Sequence, residues 1–191
     1  MTRFAFRQVD YRDLNKFLSD DGIFSKNHKP IQKCHQTSYK QLVERRGTSL
    51  FEMPGNRVIN DFVSFYLSPI SSFTYTIHQG NVPVTDPAGN ELGMSKMDDR
   101  VFIVCNIDRV VSNISDCYYS NYALNSKALS PEIFDNVSEI EENVSGEVCD
   151  DPPRTAERQE IGNKGVRKVV RSNINIKNKK CKEKRMAEIL V

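Results

Sequence analysis

PGNRVINDFVSFYLSPISSFTYTIHQGN, residues 54–81, carries more information about the fold than any other stretch of this 191-residue chain. Pro54-Gly55 is a turn signal. The run Asp61-Phe62-Val63-Ser64-Phe65-Tyr66-Leu67 follows, rich in aromatic and β-branched residues. Ser68-Pro69 interrupts it, and Phe73-Thr74-Tyr75-Thr76-Ile77 forms a second apolar run before Gln79-Gly80-Asn81. Runs of this kind bounded by turn residues predict two short strands or apolar segments.

Working outward, residues 3–9 (RFAFRQV) alternate in character and predict an opening strand. Tyr11, Leu14, Phe17 and Leu18 then fall at helical spacing, with Gly22 as a stop. Thr37 is a candidate N-cap for a helix over residues 38–46, which ends in Arg45-Arg46-Gly47. Downstream, residues 82–98 read as loop. RVFIVCN, residues 100–106, is the most strand-like segment, and its near-continuous apolar character predicts burial on both faces. The tyrosines of residues 116–123 suit either a core or base stacking. Ile133, Phe134, Val137, Ile140 and Val144 predict one amphipathic helix.

The composition is that of one soluble domain spanning residues 1–191: 38% of residues are hydrophobic, and the longest apolar run is far too short to cross a membrane. Five scattered cysteines, none in a C-x-x-C arrangement, fit a reducing, cytoplasmic setting. Cys34-His35 is the one pair resembling a metal motif, and with no further ligand at suitable spacing no metal site is expected. The net charge of +2 conceals two blocks. Residues 132–151 hold eight acids and no Lys or Arg, whereas residues 164–185 hold ten bases and one acid. The basic block suits a polyanion or a solvated charged face.

Two motifs carry a family resemblance. The 61–67 run, Ser68-Pro69 and Ile77-His78-Gln79-Gly80-Asn81 resemble the central motif of DarT-type DNA ADP-ribosyltransferase toxins. Arg185, Ala187, Glu188, Leu190 and Val191 resemble the Arg-x-Ala-Glu-x-Leu-Val segment that closes that family's catalytic region. The resemblance covers roughly residues 3–125 and 180–191. It implies a mixed α/β (α+β) fold, an ADP-ribosyltransferase-like core of two small packed β-sheets with flanking helices.

By resemblance, Glu188 is the catalytic carboxylate, and Arg46 clasps the phosphates of NAD and supports catalysis, with Arg45 in reserve. Asn27 falls where the family has a cofactor-pocket Asn, although a turn role suits it equally. Arg7 and Asp10 stand where the family commonly carries a pocket His. Lys177, Lys179, Lys180 and Lys182 lie where the substrate-selecting loop belongs and are the expected DNA contacts. The implied partners are NAD, single-stranded DNA and a macrodomain antitoxin. RNA or protein acceptors, or an inactive relative that only binds, are the alternatives. Family members continue past the matching Glu, so the chain reads as shortened at its C-terminus. Glu188 reads as surface-facing, and Glu188→Ala is expected to spare the fold.

Overall fold

The computed structural model of the chain describes residues 3–48, 53–124, 131–144 and 187–191. Among these, two antiparallel sheets are present. The larger contains β1 (Phe4–Asp10), β3 (Ser64–Tyr66), β6 (Arg100–Asn106), β7 (Tyr118–Ser120), β8 (Ile133–Phe134) and β9 (Glu188–Leu190), in the order β6-β1-β3-β9-β7-β8. The smaller contains β2 (Gln36–Thr37), β4 (Pro83–Thr85) and β5 (Glu91–Met94), in the order β2-β4-β5. Helices α1 (Leu14–Ser19), α2 (Lys40–Arg46), α3 (Ser72–His78), α4 (Ile107–Asn113) and α5 (Ile140–Asn143) lie between the strands in sequence.

β9 holds the larger sheet together. It pairs with β3 on one side, Tyr66 opposite Glu188, and with β7 on the other, Tyr119 opposite Ile189. The ladder runs past the strand ends: Val63 and Val191 exchange both backbone hydrogen bonds, and Leu67 N–H donates to the Ala187 carbonyl at 3.0 Å. Side chains alternate across a strand. Ala187 and Ile189 therefore enter one core cluster with Ala5, Phe65, Leu67 and Tyr119. Leu190 enters a second with Met53, Ile59, Phe62, Tyr118 and Leu124.

The 54–81 stretch folds differently from its pattern in one half. Pro54–Asn56 and Ile59–Asp61 are 3-10 turns, the first passing through Gly55 at φ +72°, a left-handed conformation glycine adopts without a Cβ clash. Arg57 then ties this turn to β7, lying 4.5 Å over the Phe62 ring and donating to Asp116 at 3.0 Å and to the Tyr118 hydroxyl at 3.1 Å. Residues 64–66 form β3 as expected. The Phe73–Ile77 run is helical instead, within α3, because Ser71 caps the helix by accepting from Thr74 N–H at 3.2 Å. A local cap outweighs the weak β-preference of Thr and Tyr.

Four further expectations are corrected. Residues 82–98 are not loop throughout: they contain β4, β5 and a 3-10 turn over Met97–Asp99, and the pairing of β4 with β2 and β5 builds the smaller sheet. Thr37 lies in β2 and caps nothing, since α2 begins after Tyr39 with no side-chain cap. β6 is a strand, but it forms the end of its sheet and has β1 as its sole strand partner among the described residues, leaving Phe102 and Val104 exposed. Residues 133–144 are not one helix: Ile133–Phe134 is β8, Val137–Glu139 a 3-10 turn, and only Ile140–Asn143 is α-helical. The opening strand agrees with expectation, and the first helical segment is a 3-10 turn over Tyr11–Asp13 leading into α1. No helix among the described residues is long and apolar enough to cross a membrane.

Candidate active site

A cleft of about 290 Å³ opens where β1, β2, β3, α2 and β9 meet. Glu188, the first residue of β9, lies beside it with a side chain only 1% exposed. Its backbone N–H donates to Ser120 Oγ at 3.1 Å, which fixes the start of the strand. Opposite it, Arg46 ends α2, where a cation is favoured by the helix dipole. Its guanidinium forks onto the carboxylate, Nη1 donating to Oε1 at 3.1 Å and Nη2 to Oε2 at 2.6 Å. Nη2 also donates to Ser64 Oγ at 2.7 Å. Such a bidentate pair fixes both distance and orientation. Burial opposes the Arg46 charge, but the Glu188 charge and its hydrogen bonds outweigh that, and the Arg46 pKa is raised. Burial pushes the Tyr66 phenol beside them upward, and the Glu188 charge adds to it.

Glu188 is thus buried and ion-paired rather than surface-facing, so the expectation that its replacement by Ala spares the fold is corrected. Removing one partner of a buried pair leaves the other uncompensated.

Arg7 lines the same cleft and donates to the Ser64 carbonyl at 2.7 Å. Asp10 also borders it, but its carboxylate is fully engaged. Arg12 donates to it from its backbone N–H and twice from its side chain, and Arg100 adds a bond at 2.9 Å. Burial alone would raise the Asp10 pKa, and these bonds and charges lower it. Asn27 and Arg45 are not brought into the cleft. Asn27 is exposed, donating to Asp61 Oδ1 at 2.6 Å, and the other oxygen of Asp61 accepts from Val58 N–H. The Asp of the central motif thereby clips together two turns. Lys177, Lys179, Lys180 and Lys182 lie outside the described residues. Tyr118 and Tyr119 are core residues, and His78 is exposed at the end of α3.

Asp13 and Lys26 are among the cleft residues that escaped the sequence reading. Asp13 is buried and accepts from His35, from the backbone N–H at 2.9 Å and from Nδ1 at 2.7 Å. Nothing in a 22-residue separation signals that pairing. Lys26, on the rim, donates to Gln36 Oε1. The neighbouring Cys34 thiol is pushed up to about 11, by burial first and then by Asp13 and Asp20. His35 thus bonds a carboxylate, and no group of three or more potential metal ligands forms among the described residues.

The two antiparallel sheets with their flanking helices form an ADP-ribosyltransferase fold of the DarT type. The model of one family, described as ssDNA thymidine ADP-ribosyltransferase, DarT, matches residues 6–191, and the chain belongs to that family. Among solved structures, the fold is similar to Thermus sp. 2.9 DarT in complex with ADP-ribosylated ssDNA, with TM-score 0.69 and 17% identity over 99% of this chain and 74% of that one. The same Thermus protein in complex with NAD+ gives TM-score 0.62 and 16% identity, with the same coverage. Thermosipho africanus DarTG in complex with ADP-ribose gives TM-score 0.56 and 15% identity, over 99% of this chain and 40% of that one. No curated protein matches the sequence.

Proposed function

We propose that the chain transfers ADP-ribose from NAD to a thymine base of single-stranded DNA, with Glu188 and Arg46 as its catalytic pair. The observation that carries this reading is the closure of Arg46 onto Glu188, 142 residues apart in sequence, beside the cleft of a chain that belongs to a thymidine ADP-ribosyltransferase family. NAD as co-substrate is supported by the complexes of the structural neighbours with NAD+ and ADP-ribose.

The chemistry follows from the carboxylate. As the nicotinamide–ribose bond breaks, its electron pair leaves with nicotinamide and positive charge builds on the anomeric carbon. A pre-positioned anion stabilises that charge without reorganising. The base forms the new bond to the same carbon, and the proton it loses passes to Glu188 as general base. Arg46 holds the carboxylate in register, an orientation role. The bond made is to carbon, not phosphorus, so the reaction is a glycosyl transfer and not a nucleotidyl transfer. A single-stranded acceptor presents its bases without the cost of unstacking a duplex.

Lys177, Lys179, Lys180 and Lys182 are proposed to contact the DNA backbone. A toxin role in the cytoplasm, countered by a macrodomain antitoxin, is proposed on the family resemblance. The test uses labelled NAD with four acceptors: single-stranded DNA with thymine, single-stranded DNA without it, RNA and protein. Label on the first alone is expected. Label on RNA or protein instead would overturn the choice of acceptor, and no label on any would overturn the activity.

A further inference from the structure

The two ends of the larger sheet are not alike. β8 at one end is two residues long and leaves little backbone to pair with. β6 at the other is seven residues long, and among the described residues its outer side has no strand partner. Natural edges of that length usually carry a guard, such as a proline, a bulge or a charge in mid-strand. Residues 101–106 hold no charge, proline or glycine, and the register of β6 against β1 runs without a bulge. The one charge of the strand, Arg100, is buried against Asp10 at 2.9 Å. The outer strands of the smaller sheet are guarded, β2 by its length of two residues and β5 by Glu91 and by Gly93 at φ +91°. On β6, Phe102 is 39% and Val104 52% exposed, and Phe4 of the neighbouring strand is 45% exposed. Phe4 lies opposite Asn106 and Phe6 opposite Val104, so by alternation Phe4, Phe102 and Val104 share a face. An apolar face on a long open edge marks a strand that lacks its neighbour.

We propose that a second copy of this chain supplies that neighbour, β6 pairing antiparallel with β6 of the copy about a two-fold axis through Ile103. The strand is self-complementary in that register. Phe102 meets Val104 of the copy, Val101 meets Cys105 and Arg100 meets Asn106, so no charge faces a like charge. Opposed residues differ by an even number of positions, so those whose N–H and C=O point outward on one strand meet outward-pointing groups on the other. A foreign strand could use the same backbone groups. An aromatic residue set against a β-branched one on both sides of the axis is a match the chain makes with itself. Because the contact uses one patch twice, it closes at two copies, and the joined sheet ends on both sides in the short β8.

The test is sedimentation velocity of the full chain over a wide concentration range, with hydrogen exchange of the β6 amides on the same samples. Val104→Lys and Phe102→Glu are the variants, since both residues are exposed and neither lines the cleft. Each is accepted when its circular dichroism and melting match the wild type at a concentration where the wild type is monomeric. The wild type is expected to dimerise reversibly, and each substitution should raise the dissociation constant at least about tenfold. Mixing the two variants should bring the dimer back, because the introduced ammonium and carboxylate come opposite each other in this register. The outward-pointing β6 amides should be protected only at concentrations where the dimer forms. That measurement needs no variant, so it decides even where a substitution unfolds the chain. A wild type that stays monomeric at every concentration overturns the proposal, and slow β6 exchange in that monomer would mean that the chain covers its own edge. A dimer that neither substitution weakens overturns the assignment to β6. Two monomeric variants that fail to associate when mixed overturn the Ile103 register and the pairing built on it.

Discussion

Glu188 keeps a carboxylate where water hardly reaches, and Arg46 supplies a donor to each of its oxygens. Substitution should therefore separate chemistry from stability. Glu188→Gln preserves shape and some hydrogen bonding and is expected to lose transfer with a modest change in urea midpoint. Glu188→Ala and Arg46→Ala should each lose transfer and about 3 kcal/mol of stability, because each strands its partner. Urea unfolding of the three proteins checks this, and an Arg46→Ala variant as stable as wild type would refute the pair's structural weight. Asp10 provides a pH test. Its folded pKa lies below its ordinary value, so its stabilising effect is present above about pH 3.9 and is lost as pH falls through the lower folded value. Asp10→Asn, which strands the buried Arg100, should cost about 3 kcal/mol at pH 7. The gap to wild type should narrow below about pH 4, and a gap independent of pH would contradict the linkage. Of these residues, Glu188 and Arg46 were singled out in the sequence only through the family resemblance, Glu188 in a motif and Arg46 by its place at a helix end, and their pairing across 142 positions left no trace there. Asp13–His35 was not legible, since a pair 22 residues apart leaves no periodic trace.

At the scale of elements, legibility followed the source of each element's stability. β1 and β6 were readable because seven residues of alternating or apolar character leave few alternatives. The exposure of β6 was not, because a strand's place at a sheet edge depends on pairing elsewhere. α3 was missed because its sequence favours strand while its fate is settled by Ser71. Ser71→Ala should thus destabilise the protein by about 1 kcal/mol. Thermal unfolding with the transfer assay on the same sample measures it, and activity should persist at temperatures where the variant stays folded. An unchanged melting temperature would mean that tertiary packing, not the cap, holds α3. Residues 133–144 were misread because five apolar residues at near-helical spacing also satisfy a strand, a turn and one short helical segment.

Across the whole molecule, the charge asymmetry of the sequence has only partly been placed. The acidic side contributes Glu141 to an ion pair with Arg3 at 3.4 Å and Glu139 to a bond from Asn136, so these two carboxylates already have partners. The expectation that the basic block serves DNA is tested through salt. Affinity for single strands should fall with a slope of roughly −0.7 per phosphate neutralised, and Lys177, Lys179 and Lys180 changed together to Gln should flatten it. A lower melting temperature with an unchanged slope would instead indicate an internal clasp. The sheet order has a consequence of another kind. β9 joins β3 to β7, and its residue Glu188 pairs with Tyr66, 122 positions earlier. Synthesis proceeds from the N-terminus, so every other described strand of this sheet exists before its bridge does. Until residues 187–191 arrive, β6-β1-β3 and β7-β8 lack the strand that joins them and Arg46 has no carboxylate to hold. Ribosome-stalled chains ending at residue 186 should be silent in the labelling assay, and a cell making this enzyme is shielded from it until that last of the described strands has been synthesised.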